Sequence, residues 1–239
     1  MCSDINEQQP AVNNQAPIDW ILWVDEALIA INKPSGLRTL PDGYDPTAPH
    51  LKRLLEPIYG RLWIAHRLDK ETSGVLVLAR TAEAHRSLNT QFEQHEIQKA
   101  YHALVKGSME WEERIIDLPL RPNGDRRHRT VVDPHKGKSA VTRLRVLERF
   151  KGYALVEARP ETGRTHQIRA HLSSMGFPLA GDRLYGGGEP IPPLEGFALH
   201  AKSLSLKHPV SGERLFLAAE YPALFQSALK ILRHSVNKP

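Results

Sequence analysis

His66-Arg67-Leu68-Asp69-Lys70-Glu71-Thr72-Ser73-Gly74 runs directly into Val75-Leu76-Val77-Leu78-Ala79. The second half is apolar and rich in β-branched residues, which predicts a buried strand over Gly74–Ala79. The first half is a charged, hydroxylated turn at the mouth of that strand. Turns held by a rigid scaffold often present reactive side chains. Asp69 is the informative member, because a carboxylate can attack an electrophilic carbon or move a proton. To attack, it must be ionised, and a nearby arginine favours that form. A turn aspartate bonding its own backbone is the blander alternative, and local chemistry leaves both open.

Downstream of this strand, Thr81 is suited to cap a helix, and Ala84, Leu88 and Phe92 recur every four residues along it. Alternation in Tyr101–Val105 predicts a strand with Tyr101, Ala103 and Val105 on one face. Further strands are expected at Ala140–Phe150, Tyr153–Ala158 and near Phe197–Leu206, the last before a turn at His208–Gly212. Upstream, Trp20–Val24 and Leu28–Asn32 read as two short strands. Arg38–Pro49 reads as a loop, and a short helix near His50–Leu55 is expected to stop at Pro57. A last helix is expected over Pro222–Arg233. Strands and helices mix without a βαβ rhythm, which predicts an α+β fold with a mixed, largely antiparallel sheet flanked by helices. The polar residues 1–17 read as a disordered tail, and 18–239 as one folded domain.

A second chemical stretch, Glu161-Thr162-Gly163-Arg164-Thr165-His166-Gln167-Ile168-Arg169, opens a helix just after a strand. Thr165 is expected to cap that helix, which carries Ile168, Leu172 and Met175 on one side and stops at Gly176. Its N-terminal N–H groups, with Arg164 and Thr165, suit a phosphate. Arg169, one turn in, is positioned to reach inward toward an acid. A capped amphipathic helix with a solvated polar face is the alternative.

Composition narrows the classes. Lysine and arginine exceed the acids by 32 − 27 = 5, and the pI is about 9.3, compatible with a nucleic-acid partner. Six of the cations fall between Arg121 and Lys138 against Asp125 and Asp133, a stretch broken by prolines and glycines that reads as a mobile basic loop. The single cysteine, Cys2, excludes an internal disulfide, cysteine-rich zinc sites and a CxxC pair. No HExxH, phosphate loop or GxGxxG signature occurs, so no metal, nucleotide triphosphate or nicotinamide is expected. His166 and His171 are badly spaced for joint metal ligation on a helix. Gly186-Gly187-Gly188 reads as loop flexibility. No apolar run spans a bilayer and no secretory signal is visible, so a cytoplasmic location is expected.

Six blocks carry a resemblance that local chemistry does not supply. His66 to Gly74 resembles the HRLDxxTSG signature of the RluA family of pseudouridine synthases. Lys33-Pro34-Ser35-Gly36-Leu37 resembles the family's KPSG segment, and Lys99-Ala100-Tyr101-His102-Ala103 its KxYxA segment. Gly163 to Arg169 resembles GR(T/S)HQ(I/L)R. Gly181 to Gly186 and Leu199-His200-Ala201 resemble its later blocks. All six stand in family order across roughly residues 20 to 222.

The resemblance implies an isomerase that converts uridine in structured RNA to pseudouridine without cofactor or metal. Its target would lie in a stem-loop of ribosomal RNA, transfer RNA or both. By position, Asp69 would be the catalytic aspartate, Tyr101 would lie against the base, and Arg169 would pair with Asp69. His66, Arg67, Thr72, Arg164, Thr165, Gln167 and Leu199 would contact substrate, with Arg67 helping to displace the target nucleotide and Leu199 forming apolar wall. Too few residues precede the first strand for an S4 domain, so a short, single-domain member is expected; a monomer is the expectation for its oligomeric state, though no residue pattern specifies it. A non-catalytic RNA-binding protein would keep the basic loop but need neither Asp69 nor Arg169. A glycosidic hydrolase would want a second cooperating carboxylate.

Overall fold

A computed structural model describes residues 18–41, 45 and 47–236. The expected tail over 1–17, with Cys2, lies outside these described residues.

A single turn of 3₁₀ helix over Ile18–Trp20 leads into β1 (Ile21–Val24) and β2 (Leu28–Lys33). Asp25 Oδ1 closes their turn by accepting from the backbone of Ala27 and Leu28, at 2.7 and 2.8 Å. Next come α1 (Leu51–Tyr59), β3 (Trp63–Ile64), β4 (Ser73–Ala79) and α2 (Ala82–Glu93). The middle of the chain forms β5 (Gln98–Lys106), β6 (Glu113–Asp117), β7 (Leu120–Arg121) and β8 (Val131–Val132). The long hairpin of β9 (Val141–Phe150) and β10 (Tyr153–Pro160) is followed by α3 (Gln167–Ser174). β11 (Leu199–Lys207), β12 (Arg214–Ala218) and α4 (Ala223–Val236) complete the described chain.

Ten strands build one sheet in the order β1-β2-β4-β11-β5-β10-β9-β6, with β3 beside β4 and β12 beside β11. Every pairing in it is antiparallel except β4 with β11. The fold is therefore α+β with a mixed, mostly antiparallel sheet, as expected.

Strand periodicity places the helices. Val75 and Val77 of β4 face Ala84 and Leu88 of α2, while Leu76 and Leu78 face Leu51 and Leu55 of α1. Ala103 and Val105 of β5 face Ile168 and Leu172 of α3, while Leu104 meets Phe225, Ala228 and Leu229 of α4. Each half of the sheet is thus covered on both faces, which is why β4 is apolar throughout rather than alternating.

Several expectations are corrected. Pro57 does not stop α1 but lies within it: its missing N–H removes the bond to the Arg53 carbonyl, a cost offset by packing of Leu51 and Leu55 against Leu76 and Leu78, and the chain leaves the helix at Gly60. Thr165 does not cap α3. The capping position falls on His166 in a left-handed conformation at φ 51°, with no side-chain cap. Tertiary contact outweighs local preference here, since His166 Nδ1 is hydrogen-bonded to the Tyr185 hydroxyl at 3.1 Å. The basic stretch from Arg121 to Lys138 is not an open loop. Arg121 pairs with Asp133 and Arg129 with Asp125, each at 2.6 Å, around the β7–β8 pair. Gly187 is not there for flexibility either: a Cβ on it would lie 1.7 Å from the Leu179 carbonyl oxygen. β6 and β12 were not expected; β6 is short and mostly exposed, and β12 alternates over a half-buried face.

Candidate active site

The turn that carries Asp69 is strapped from two sides. Within it, Thr72 N–H donates to the Asp69 carbonyl at 3.1 Å. From outside, Gly36 N–H donates to the Lys70 carbonyl at 2.9 Å and Ser35 Oγ to the Glu71 carbonyl at 2.7 Å. Fully buried Lys33 sends its ammonium to the carbonyls of Pro34, Leu37 and Lys70 at 2.8, 2.7 and 3.1 Å. Burial pulls the Lys33 pKa down to about 7, against the opposing charges of Glu71 and Asp69. Leu68 is tucked inward and exchanges hydrogen bonds with Thr39. The Lys33–Leu37 block therefore has a structural meaning that its local sequence did not reveal: it is the brace of the Asp69 turn.

Gly74 lets this turn meet the rest of the sheet. Its φ is 108°, and a Cβ there would lie 2.2 Å from the Ala201 carbonyl oxygen. Only glycine permits β4 to approach β11 in parallel at that point. The approach brings the Asp69 turn of one half beside α3 of the other.

There Asp69 Oδ2 accepts from Arg169 Nη1 at 2.9 Å, across 100 residues of sequence. Arg169 is buried and held from behind by Asp182, whose two oxygens accept from Nε and Nη2 at 2.7 and 3.0 Å. Its guanidinium carbon lies 4.9 Å from the Tyr185 ring centre and 4.4 Å from that of Phe197. Burial alone would lower the Arg169 pKa, but Asp182 and then Asp69 outweigh it and leave it raised. A guanidinium held by Asp182, Tyr185 and Phe197 cannot follow a moving partner, so it sets where the Asp69 carboxylate stands. His166 Nε2 is a further 3.8 Å neighbour of Asp69 Oδ2.

This pair borders a cavity of about 630 Å³, large enough for a nucleotide. Tyr101 on β5 and Leu199 on the adjacent β11, where they pair with Ala201 and Ala103, line it, as do His66, Arg67, Thr72 and Arg164. Burial, then the Asp69 charge, raise the Tyr101 hydroxyl pKa, so it stays protonated. Arg67 is exposed and Arg164 half-buried with Nε on the Ser139 carbonyl at 2.9 Å. His66 forms wall: its Nε2 accepts from Val77 N–H at 3.1 Å and its ring lies 4.7 Å from that of Phe92. Burial, with the Lys99 charge, pulls its pKa to about 3, so the ring is neutral.

Two expected contact residues are placed otherwise. Gln167 lines the cavity, but its amide is fully engaged. Oε1 accepts from Thr162 Oγ1 and Arg164 N–H at 2.6 and 3.0 Å, and Nε2 donates to Val141 O and Thr142 Oγ1, both at 2.9 Å. All four bonding positions of the amide are filled, so it secures the loop and has no free polar group to offer a substrate. Thr165 is exposed and outside the lining. Asp182, Tyr185 and Phe197 were missed as site residues, because they act through Arg169 and, for Tyr185, through His166 as well. No group of three or more potential metal ligands occurs among the described residues, and no helix there is long and apolar enough to cross a membrane.

A profile described as RNA pseudouridylate synthase matches residues 27–174. The chain is 42% identical to an uncharacterised RNA pseudouridine synthase of Synechocystis sp., covering 94% of this chain and 72% of that protein. It is 38% identical to the ribosomal large subunit pseudouridine synthase D of Zymomonas mobilis, covering 96% and 78%. Among solved structures, human RNA pseudouridylate synthase domain containing 4 superposes with a TM-score of 0.73 at 28% identity, over 90% of this chain and 93% of that one. With the Asp69–Arg169 pair on the wall of a nucleotide-sized cavity, these matches lead to one conclusion: the chain belongs to the RNA pseudouridylate synthase family of isomerases.

Proposed function

We propose that this isomerase acts on uridine in large-subunit ribosomal RNA and that Asp69 is its catalytic carboxylate. The observation that carries the second part is the Asp69–Arg169 pair at 2.9 Å on the wall of a cavity of about 630 Å³. The names of the relatives support the first part. Synthases D of the ribosomal large subunit from Zymomonas mobilis and Pseudomonas aeruginosa are 38% and 39% identical over 96% and 89% of this chain.

The reaction detaches uracil from C1′, turns it and rejoins it through C5. No atom is gained or lost and no electron is exchanged with a cofactor. The target nucleotide leaves its stack, at a cost of a few kcal/mol that is smaller in a loop. Arg67 and Arg164 contact the RNA beside the displaced nucleotide, and such phosphate contacts make binding weaken with salt. Tyr101 and Leu199 receive the base, the first by its ring face and the second as apolar wall. Asp69 then acts at the sugar, by attack on C1′ or by removal of the 2′ proton; Arg169 fixes its direction for either.

The test is isomerisation of defined transcripts by the purified chain, read by pseudouridine-specific mapping. Product at a large-subunit position and none in transfer RNA is the expected result. Product in transfer RNA alone would overturn the ribosomal assignment.

A further inference from the structure

Lys99 stands two residues before Tyr101 on β5, so both side chains leave the same face of the strand, about 6.6 Å apart along it. Both line the cavity. Lys99 Nζ donates to the Thr162 carbonyl at 3.1 Å, and among the described residues no carboxylate lies within ion-pairing distance of it. Its neighbour across the gap is Gly163, whose missing side chain leaves the ammonium uncovered: a Cβ there would come within 4.0 Å of Nζ. An ammonium has three N–H donors. Two therefore remain for an occupant of the cavity. Burial pulls the Lys99 pKa down to about 8, the mark of a cation that has lost water and gained no acid in exchange.

The reaction generates an anion in this cavity. When the N1–C1′ bond breaks, its electron pair leaves with the base, and the charge spreads over N1, O2 and O4. Rotation about the axis through N3 and C6 exchanges N1 with C5 and, equally, O2 with O4. C5 then bonds to C1′ with that electron pair, as the C1′–Asp69 bond breaks or the proton taken from C2′ returns; the C5 proton passes to solvent and N1 takes one up, so no atom or charge is gained. A donor fixed beside one carbonyl oxygen before the turn therefore meets the other after it, without moving. Tyr101 beneath the ring and Lys99 at its edge have the spacing for this.

We propose that Lys99 is a catalytic residue that holds the detached uracil anion through its exocyclic oxygens in both orientations. This rests on the reading of the Asp69 cavity as the reacting site. A phosphate contact is the other use of such an ammonium, but the more accessible Arg67 and Arg164 are better suited to the backbone.

The experiment compares wild type, Lys99→Met, Lys99→Arg and Asp69→Asn under single turnover. The substrate is an RNA stem-loop carrying either uridine or 5-fluorouridine at the target, and the readout is loss of the N-glycosidic bond. Fluorine at C5 stabilises the detached anion internally, so less help is needed. Lys99→Met should slow uridine cleavage about 100-fold or more, the size seen for one positioned donor to a developing anion, but 5-fluorouridine cleavage about tenfold at most. Lys99→Arg should restore most of the uridine rate, which separates loss of the cation from loss of the fold. Equal slowing on both substrates, or a defect confined to the RNA dissociation constant, would overturn the proposal. Asp69→Asn should be inactive on both; activity there would instead overturn the reading on which the proposal rests.

Discussion

A carboxylate, a guanidinium and a second carboxylate stand in line from the cavity to the interior: Asp69, Arg169, Asp182. The inner pair is the better buried, so Asp182 governs where Arg169 points. Replacing Asp182 with Asn should leave a buried guanidinium under-compensated and destabilise the fold by about 3–5 kcal/mol. In molecules that remain folded, turnover should fall more than RNA affinity does; chemical denaturation together with single-turnover rates would show both. Wild-type stability in the variant would mean that Arg169 does not depend on Asp182. At Tyr101, replacement by Phe should keep more activity than replacement by Ala, because ring stacking is worth about 1–3 kcal/mol per base and survives without the hydroxyl. Equal single-turnover rates would contradict a stacking role. Asp69 and Arg169 were legible as candidates because each sits in a dense chemical motif. Asp182 was not: its meaning depends on a contact 13 residues back to Arg169. Lys33 was hidden for a similar reason, since three carbonyls from two segments have to converge before a buried lysine makes sense.

Elements with strong periodicity were readable, and those shaped by neighbours were not. β4 and α2 follow from an apolar run and a four-residue stripe capped by Thr81, whose Oγ1 accepts from Ala84 N–H at 3.1 Å. The start of α3 was misplaced by one residue, because the link between His166 and Tyr185 spans 19 residues that no local rule sees. β6 was invisible for want of an apolar face; its backbone pairing with β9 supplies what its side chains do not. At the junction of β4 with β11 the account makes a sharp demand on one position. Gly74→Ala would push a Cβ into the Ala201 backbone at a φ that side chains rarely adopt. A loss of about 3 kcal/mol is expected from crowding and backbone strain together, measurable by denaturant melts. An unchanged midpoint would show that the strands are not held this close.

Across the molecule, burial sets the response to acid. His50, His66, His102, His166, His171 and His200 all have pKa values lowered, first of all by burial. Each takes up a proton less readily in the fold than its unfolded counterpart, which does so near the ordinary value of 6.5. The unfolded state then binds more protons, so stability is lost as pH falls below about 6.5 and continues to fall toward the folded values. Thermal melts should move steadily downward through that window; a flat melting temperature would contradict the burial of these rings. The fold class could be read from the mixture of strands and helices, but the strand order could not. Placing β11 between β4 and β5 joins strands more than 90 residues apart, and on that junction the cavity is built. The most direct test of the whole account is pseudouridine formation by Asp69→Asn on an RNA that wild type modifies, with RNA binding measured alongside. The account predicts no product while much of the binding survives; near-normal product would contradict it.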